Sequence, residues 1–121
     1  MNIRISFFLF LIVLCKTSFA QTGLSSDELF QRARKAAFDE KNYPKAIGLS
    51  KQALAKSPDY SDIRVFLGRV YTWSDKTDSA RAEFKKVLSK HPDNADAAFG
   101  YGSLEYWNND SNGALGIVSS G

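Results

Sequence analysis

The sequence predicts an all-α fold, a solenoid of helix-turn-helix units repeated about two and a half times after an N-terminal signal peptide. Three observations predict it. Two prolines, Pro58 in "ALAKSPDYSD" and Pro92 in "VLSKHPDNAD", follow helical runs thirty-four residues apart. The same interval separates Gly68 from Gly102 and Trp73 from Trp107. Each thirty-four-residue window splits into two stretches of helical apolar period around a short polar break, the mark of a stacked helical pair.

Residues 1–20, "MNIRISFFLFLIVLCKTSFA", combine a basic start at Arg4, an apolar run from Phe7 to Cys15, and small residues at Ser18 and Ala20. That pattern predicts a signal peptide cut after Ala20 and an exported protein, in the periplasm or at the outer membrane. An uncleaved anchor is the competing reading, but the apolar run falls short of the ~20 residues that a spanning helix needs. A lipoprotein reading rests on Cys15 and is opposed by the large Leu14 before it. Residues 21–26 read as a short linker, and residues 27–121 as the repeat domain.

Repeat one covers 27–60. Phe30, Ala33, Ala36 and Ala37 share one helical face, "DEKNY" breaks the pattern, and Ala46, Ile47, Ala53 and Leu54 line a second helix. Repeat two covers 61–94, where Val65, Leu67, Val70 and Tyr71 lead, "SDKTD" breaks, and Ala80, Phe84, Val87 and Leu88 follow. Pro58 and Pro92 close the units because proline cannot continue a helix and restrains the residue before it. Asp59 and Asp93 suit the turn and the start of the next helix.

Glycine inside a helix costs roughly 0.5–1 kcal/mol relative to alanine, so Gly68 requires a packing reason. Close approach of the two helices of a unit supplies one, and it predicts that Gly68 faces Ala80 and Gly102 faces Ala114. Repeat three, 95–121, is incomplete. It stops partway through its second helix, with "NNDSNG" as the turn and no closing proline. A repeat array ordinarily ends on a helix with a polar outer face. The missing cap predicts either that a partner covers the last unit or that the chain is the front piece of something longer.

The residue inventory carries little reactive chemistry. Without the leader, fourteen Lys and Arg stand against thirteen Asp and Glu, so the basic balance of the whole chain does not argue for a nucleic-acid partner. The single cysteine is Cys15, in the leader, which leaves no disulfide for the domain. His91 is the only histidine and sits in a turn without companion ligands. No phosphate loop and no G-x-S-x-G motif occurs. "NNDSNG" departs from a calcium loop at its first and twelfth positions, Asn108 and Ser119. Asp27 with Glu28, and Asp39 with Glu40, diverge at adjacent helical positions. The expectation is a non-enzyme without catalytic residues, cofactor or metal.

This pattern resembles the tetratricopeptide repeat. Leu67, Gly68, Tyr71, Ala80, Phe84, Val87 and Pro92 stand on that family's signature positions. Repeat one departs from them, with Arg34 for the small residue, Ala37 for the tyrosine and Ser50 for the aromatic of the second helix. The resemblance implies a concave groove lined by the first helix of each unit, at Gln31 and Lys35, Val65 and Arg69, and Phe99 and Ser103. Trp73 and Trp107 either fill the space between units or edge that groove. Protein or extended peptide is the implied ligand, and a polysaccharide stacked on the tryptophans is the other reading. "IRVFLGRVYTW" is more narrowly similar to the repeats of YaiO-type outer-membrane proteins and of bacterial exopolysaccharide export proteins, where such repeats precede a β-barrel. That similarity implies outer-membrane association through a region beyond Gly121. Two functions follow: a protein-interaction scaffold of the bacterial cell envelope, or the periplasmic front part of an outer-membrane barrel or polysaccharide-export protein.

Overall fold

Among the described residues five helices form. α1 spans Ser26–Phe38, α2 Tyr43–Lys56, α3 Ser61–Trp73, α4 Thr77–Lys90 and α5 Ala95–Ser120. They come from a computed structural model that describes residues 23–120, with side chains described for 23–109. The signal peptide expected at 1–20 lies outside the described residues, as do the first two positions of the 21–26 linker.

Ser25 opens α1 by accepting the backbone N–H of Glu28 at 3.1 Å, and Asp27 and Glu28 add negative charge to the first turn. Asn42 does the same for α2 at 3.2 Å, with Pro44 in the first turn, and Asn94 for α5 at 2.9 Å. α3 and α4 start at Tyr60 and Lys76 without a side-chain cap. The turns inside the first two units each hold one non-glycine residue in the left-handed region, Lys41 at φ 53° and Asp75 at φ 59°. These two stand thirty-four residues apart, so the repeat extends to backbone conformation. Pro58 and Pro92 lie in matching turns closed by Tyr60 N–H to Ser57 O and by Asn94 N–H to His91 O, both 3.1 Å.

The helices stack in chain order, α1 on α2, α2 on α3, α3 on α4 and α4 on α5, and α3 also touches α5. The apolar faces read from the sequence form the core. Ala33, Ala36, Ala37 and Ala46 pack with Phe66 and Val70 in one cluster. Leu29, Ala53, Leu54, Ile63, Val65, Leu67, Tyr71, Ala80, Phe84, Val87, Ala97 and Leu104 form the other. Alanine on α1 and α2 leaves room for Phe66 from the next unit. One period later the sizes are exchanged. Phe84 stands in the register of Ser50, and Gly100 in that of Phe66. Close packing is conserved by swapping which helix supplies the ring.

This exchange adds a packing reason for the glycines that the sequence did not show. A Cβ at Gly68 would lie 2.7 Å from Phe84 Cε1, and one at Gly100 would lie 2.5 Å from the same atom. The nearest atoms to Gly68 thus belong to the Phe84 ring, which Gly68 shares with Gly100 of α5. Gly102 has nothing within 4 Å of the Cβ it lacks, and the side chain of Ala114, its expected neighbour, lies outside the described residues. The buried ring sets where side chains are forbidden, and it reaches positions 68 and 100.

The expected turn at Asn108–Gly113 is corrected, because α5 runs through it without a break. Asn109 occupies the register of Lys41 and Asp75 but remains helical. A left-handed residue costs roughly 1–2 kcal/mol. In the first two units, docking of the second helix through Ala46 and Ala80 offsets that cost. In α5 the helical hydrogen bonds continue through 108–113 in place of the turn. Among the described residues no helix is long and apolar enough to cross a membrane.

Candidate partner-binding groove

The seam between α1 and α3 is built from aromatic rings. Phe30 meets Phe66 at 5.5 Å between centroids, Phe66 meets Phe38 at 6.0 Å, Phe38 meets Trp73 at 5.6 Å and Trp73 meets Tyr43 at 6.1 Å. Tyr60 joins the other end, 6.2 Å from Phe30. Phe30 and Phe38 sit two turns apart on α1, and Phe66 and Trp73 two turns apart on α3, so the rings interleave. The tilted and edge-on geometries are those that aromatic quadrupoles favour, and each contact adds about 0.5–1.5 kcal/mol beyond area burial.

A depression opens over this seam. Phe30, Phe38, Val65 and Phe66 form its apolar floor, and Arg34, Asp62, Arg69 and Asp96 its charged rim. Phe66 is buried, whereas Phe38 keeps 47% of its surface exposed and Trp73 keeps 42%. The Arg34 guanidinium lies 5.7 Å above the Phe30 ring, one helical turn away, and makes no ion pair among the described residues. Arg69 reaches Asp96 of α5 at 3.7 Å. A long, solvated pair of this kind is worth at most about 1 kcal/mol, so an incoming carboxylate exchanges with Asp96 at little cost. The arrangement suits an apolar side chain on the floor beside acidic or carbonyl groups at the two arginines.

The structure distributes the residues expected from sequence over three places. Val65 and Arg69 lie in the groove, with Val65 buried in its floor. Gln31 and Lys35 are exposed on α1 around a separate depression with Glu28 and Arg32. Phe99 and Trp107 project from α5, 72% and 66% exposed, with Ser103 half-buried between them. Among the described side chains of α5, Asp96 is the one that lines the groove. Trp73 fills the space against Phe38 and Tyr43 with its outer edge exposed, and it does not line the depression. Trp107 meets its neighbour Tyr106 edge-on at 5.6 Å between ring centroids. Its counterpart to Phe38 is Thr72, whose hydroxyl bonds Gly68 O at 2.9 Å.

Sequence reasoning missed Phe30, Arg34 and Phe38 as one lining face. Their spacing of four and eight residues was the available signal. Arg34 drew notice only as a departure from a small residue.

Other electrostatic ties between segments lie away from this groove. Arg64 on α3 donates to Glu83 on α4 at 2.8 Å, and Arg81 on α4 donates to Glu105 on α5. Arg81 is raised further above its ordinary pKa by that bond to Glu105. Lys90 donates to Asp59 at 2.6 Å, and this contact holds the Asp59 carboxyl below its usual value. Tyr60 donates its phenol proton to Asp27 at 2.6 Å, which raises the tyrosine above its usual value. Among the described residues no three His, Cys, Asp or Glu side chains converge on a common point, and His91 is exposed in its turn.

A family model described as tetratricopeptide repeat matches residues 37–87, from the end of α1 through most of α4. No curated protein matches the chain.

Proposed function

Since residues 37–87 belong to the tetratricopeptide-repeat family, a family of protein-interaction scaffolds, we propose that this chain is a non-catalytic scaffold of the bacterial cell envelope that holds a peptide segment of a partner protein in the α1/α3 groove. The observation that carries the reading is the half-exposed Phe38 beside Arg34, an apolar contact and an unpaired cation at one edge of an otherwise well-packed seam. Aromatic and arginine side chains carry a large share of binding energy at protein interfaces. Export is supported by the leader pattern in residues 1–20, and a mature N-terminus at Gln21 in fractionated cells is the outcome it requires.

A random peptide library selected on the immobilised chain tests the groove. Enriched peptides carry an apolar residue next to an acidic one, and Arg34→Ala together with Phe38→Ala lowers their affinity at least about tenfold, a loss of 1.4 kcal/mol. Phe38 also packs on Phe66 and Trp73, so the double variant melts below the parent, and binding is compared at a temperature where circular dichroism shows both proteins folded. Selected peptides that bind the double variant as tightly as the parent would remove the groove from the account.

A further inference from the structure

The four charged side chains on the rim of the α1/α3 groove are not equivalent. Asp62 and Asp96 occupy the same position of successive repeats, and so do Lys35 and Arg69. Arg69 reaches across to Asp96 of the next unit. The matching contact one unit earlier, Lys35 to Asp62, is not made, because Lys35 lies around the other depression with Glu28, Gln31 and Arg32. Asp62 is therefore left exposed on the groove with no ion pair among the described residues, as Arg34 is. Arg34 comes from α1 and Asp62 from α3, and although both line one depression they do not pair with each other. The groove thus presents one free charge of each sign beside the floor of Phe30, Val65 and Phe66.

We infer that Asp62 is a specificity-determining residue: the segment held in the groove carries a basic side chain for Asp62 as well as an acidic one for Arg34, together with the apolar residue that meets the floor. This rests on the groove reading given above and narrows its ligand. Charge complementarity selects the occupant. A purely acidic segment sets like charge against Asp62 and a purely basic one sets it against Arg34, whereas a segment with both signs gives each its opposite. Exposed pairs of this kind add little affinity one by one, but they fix register and reject wrong partners. Asp96 does not offer the same handle, because Arg69 already engages it. Asp62 also lies in the first turn of α3, where negative charge suits the helix dipole, so the test must separate recognition from that structural role.

Peptides selected from the random library on the parent chain are the probe. Enriched peptides are expected to carry Lys or Arg at a fixed spacing from their acidic residue. At low salt, where exposed charges are least screened, Asp62→Asn weakens them about two- to fivefold, the range of a single exposed pair. Asp62→Lys weakens them about tenfold, because attraction becomes repulsion. Exchanging the peptide's basic residue for Glu weakens binding to the parent and restores it on Asp62→Lys, a reciprocal rescue that a role confined to the helix dipole does not give. Circular dichroism sets a temperature at which every variant is folded. Enriched peptides that lack a basic residue, or affinities that Asp62→Lys leaves unchanged while Arg34→Ala with Phe38→Ala lowers them, overturn this inference and leave the groove reading standing. Peptides indifferent to all of these substitutions bind elsewhere and overturn both.

Discussion

Gly68 and Gly102 occupy the same position of successive repeats, yet alanine at the two sites acts in opposite directions. Replacing glycine with alanine inside a helix gains about 0.8–1 kcal/mol from backbone propensity. At Gly102 the new methyl meets nothing within 4 Å, so that gain stands alone. At Gly68 the methyl would come within 2.7–3.1 Å of three atoms of the Phe84 ring. The ring is fully buried and also contacts the Gly100 backbone position, so it cannot swing aside. Overpacking of this kind costs about 1–3 kcal/mol, which leaves Gly68→Ala with a net loss of up to about 2 kcal/mol. For a domain of this size 1 kcal/mol moves Tm by about 4–8 °C. Thermal melts followed by circular dichroism should show Gly102→Ala above the parent and Gly68→Ala below it. In a Phe84→Leu background, where the ring is gone, Gly68→Ala should become favourable, because the two sites are coupled through that contact. A Gly68→Ala protein more stable than the parent, or two alanine variants that move together, would refute the packing argument.

Three further outcomes test other parts of the structure. Lys76 begins α4 with φ −97° and ψ 69°, close to the −98° and 83° of Asn42, but offers no acceptor; Lys76→Asn should therefore add a cap and about 0.5–2 kcal/mol of stability by urea denaturation. Ser50 is fully buried and its Oγ has no hydrogen-bond partner, so Ser50→Ala relieves a desolvated hydroxyl and should raise stability by about 1 kcal/mol in the same assay. The folded pKa of Tyr60 lies above the ordinary tyrosine value because its phenol donates to Asp27 and is partly desolvated. That contact contributes stability in full below the unfolded value and loses it as pH rises through the folded one. Spectrophotometric titration should find one late-ionising tyrosine that moves earlier in Asp27→Asn.

The residues themselves determined most of the architecture. Helices follow from local periodicity, their starts at Ser25, Asn42 and Asn94 from side chains that accept backbone N–H groups three residues on, and their separation from Pro58 and Pro92. The core faces were legible for the same reason, since burial repeats with the helical turn whatever the partner is. Tertiary packing decided what depends on a second chain segment. Gly100, and not Gly102, is the glycine against the Phe84 ring, because that ring belongs to another helix. The groove takes Arg34 and Phe38 from α1, and not Gln31 and Lys35, because the buried alanines at 33, 36 and 37 fix the rotation of α1 about its axis. Asn109 stays helical although its register matches two left-handed residues. A turn there must be offset by a docked helix, and whether one docks is settled between elements and not along the chain.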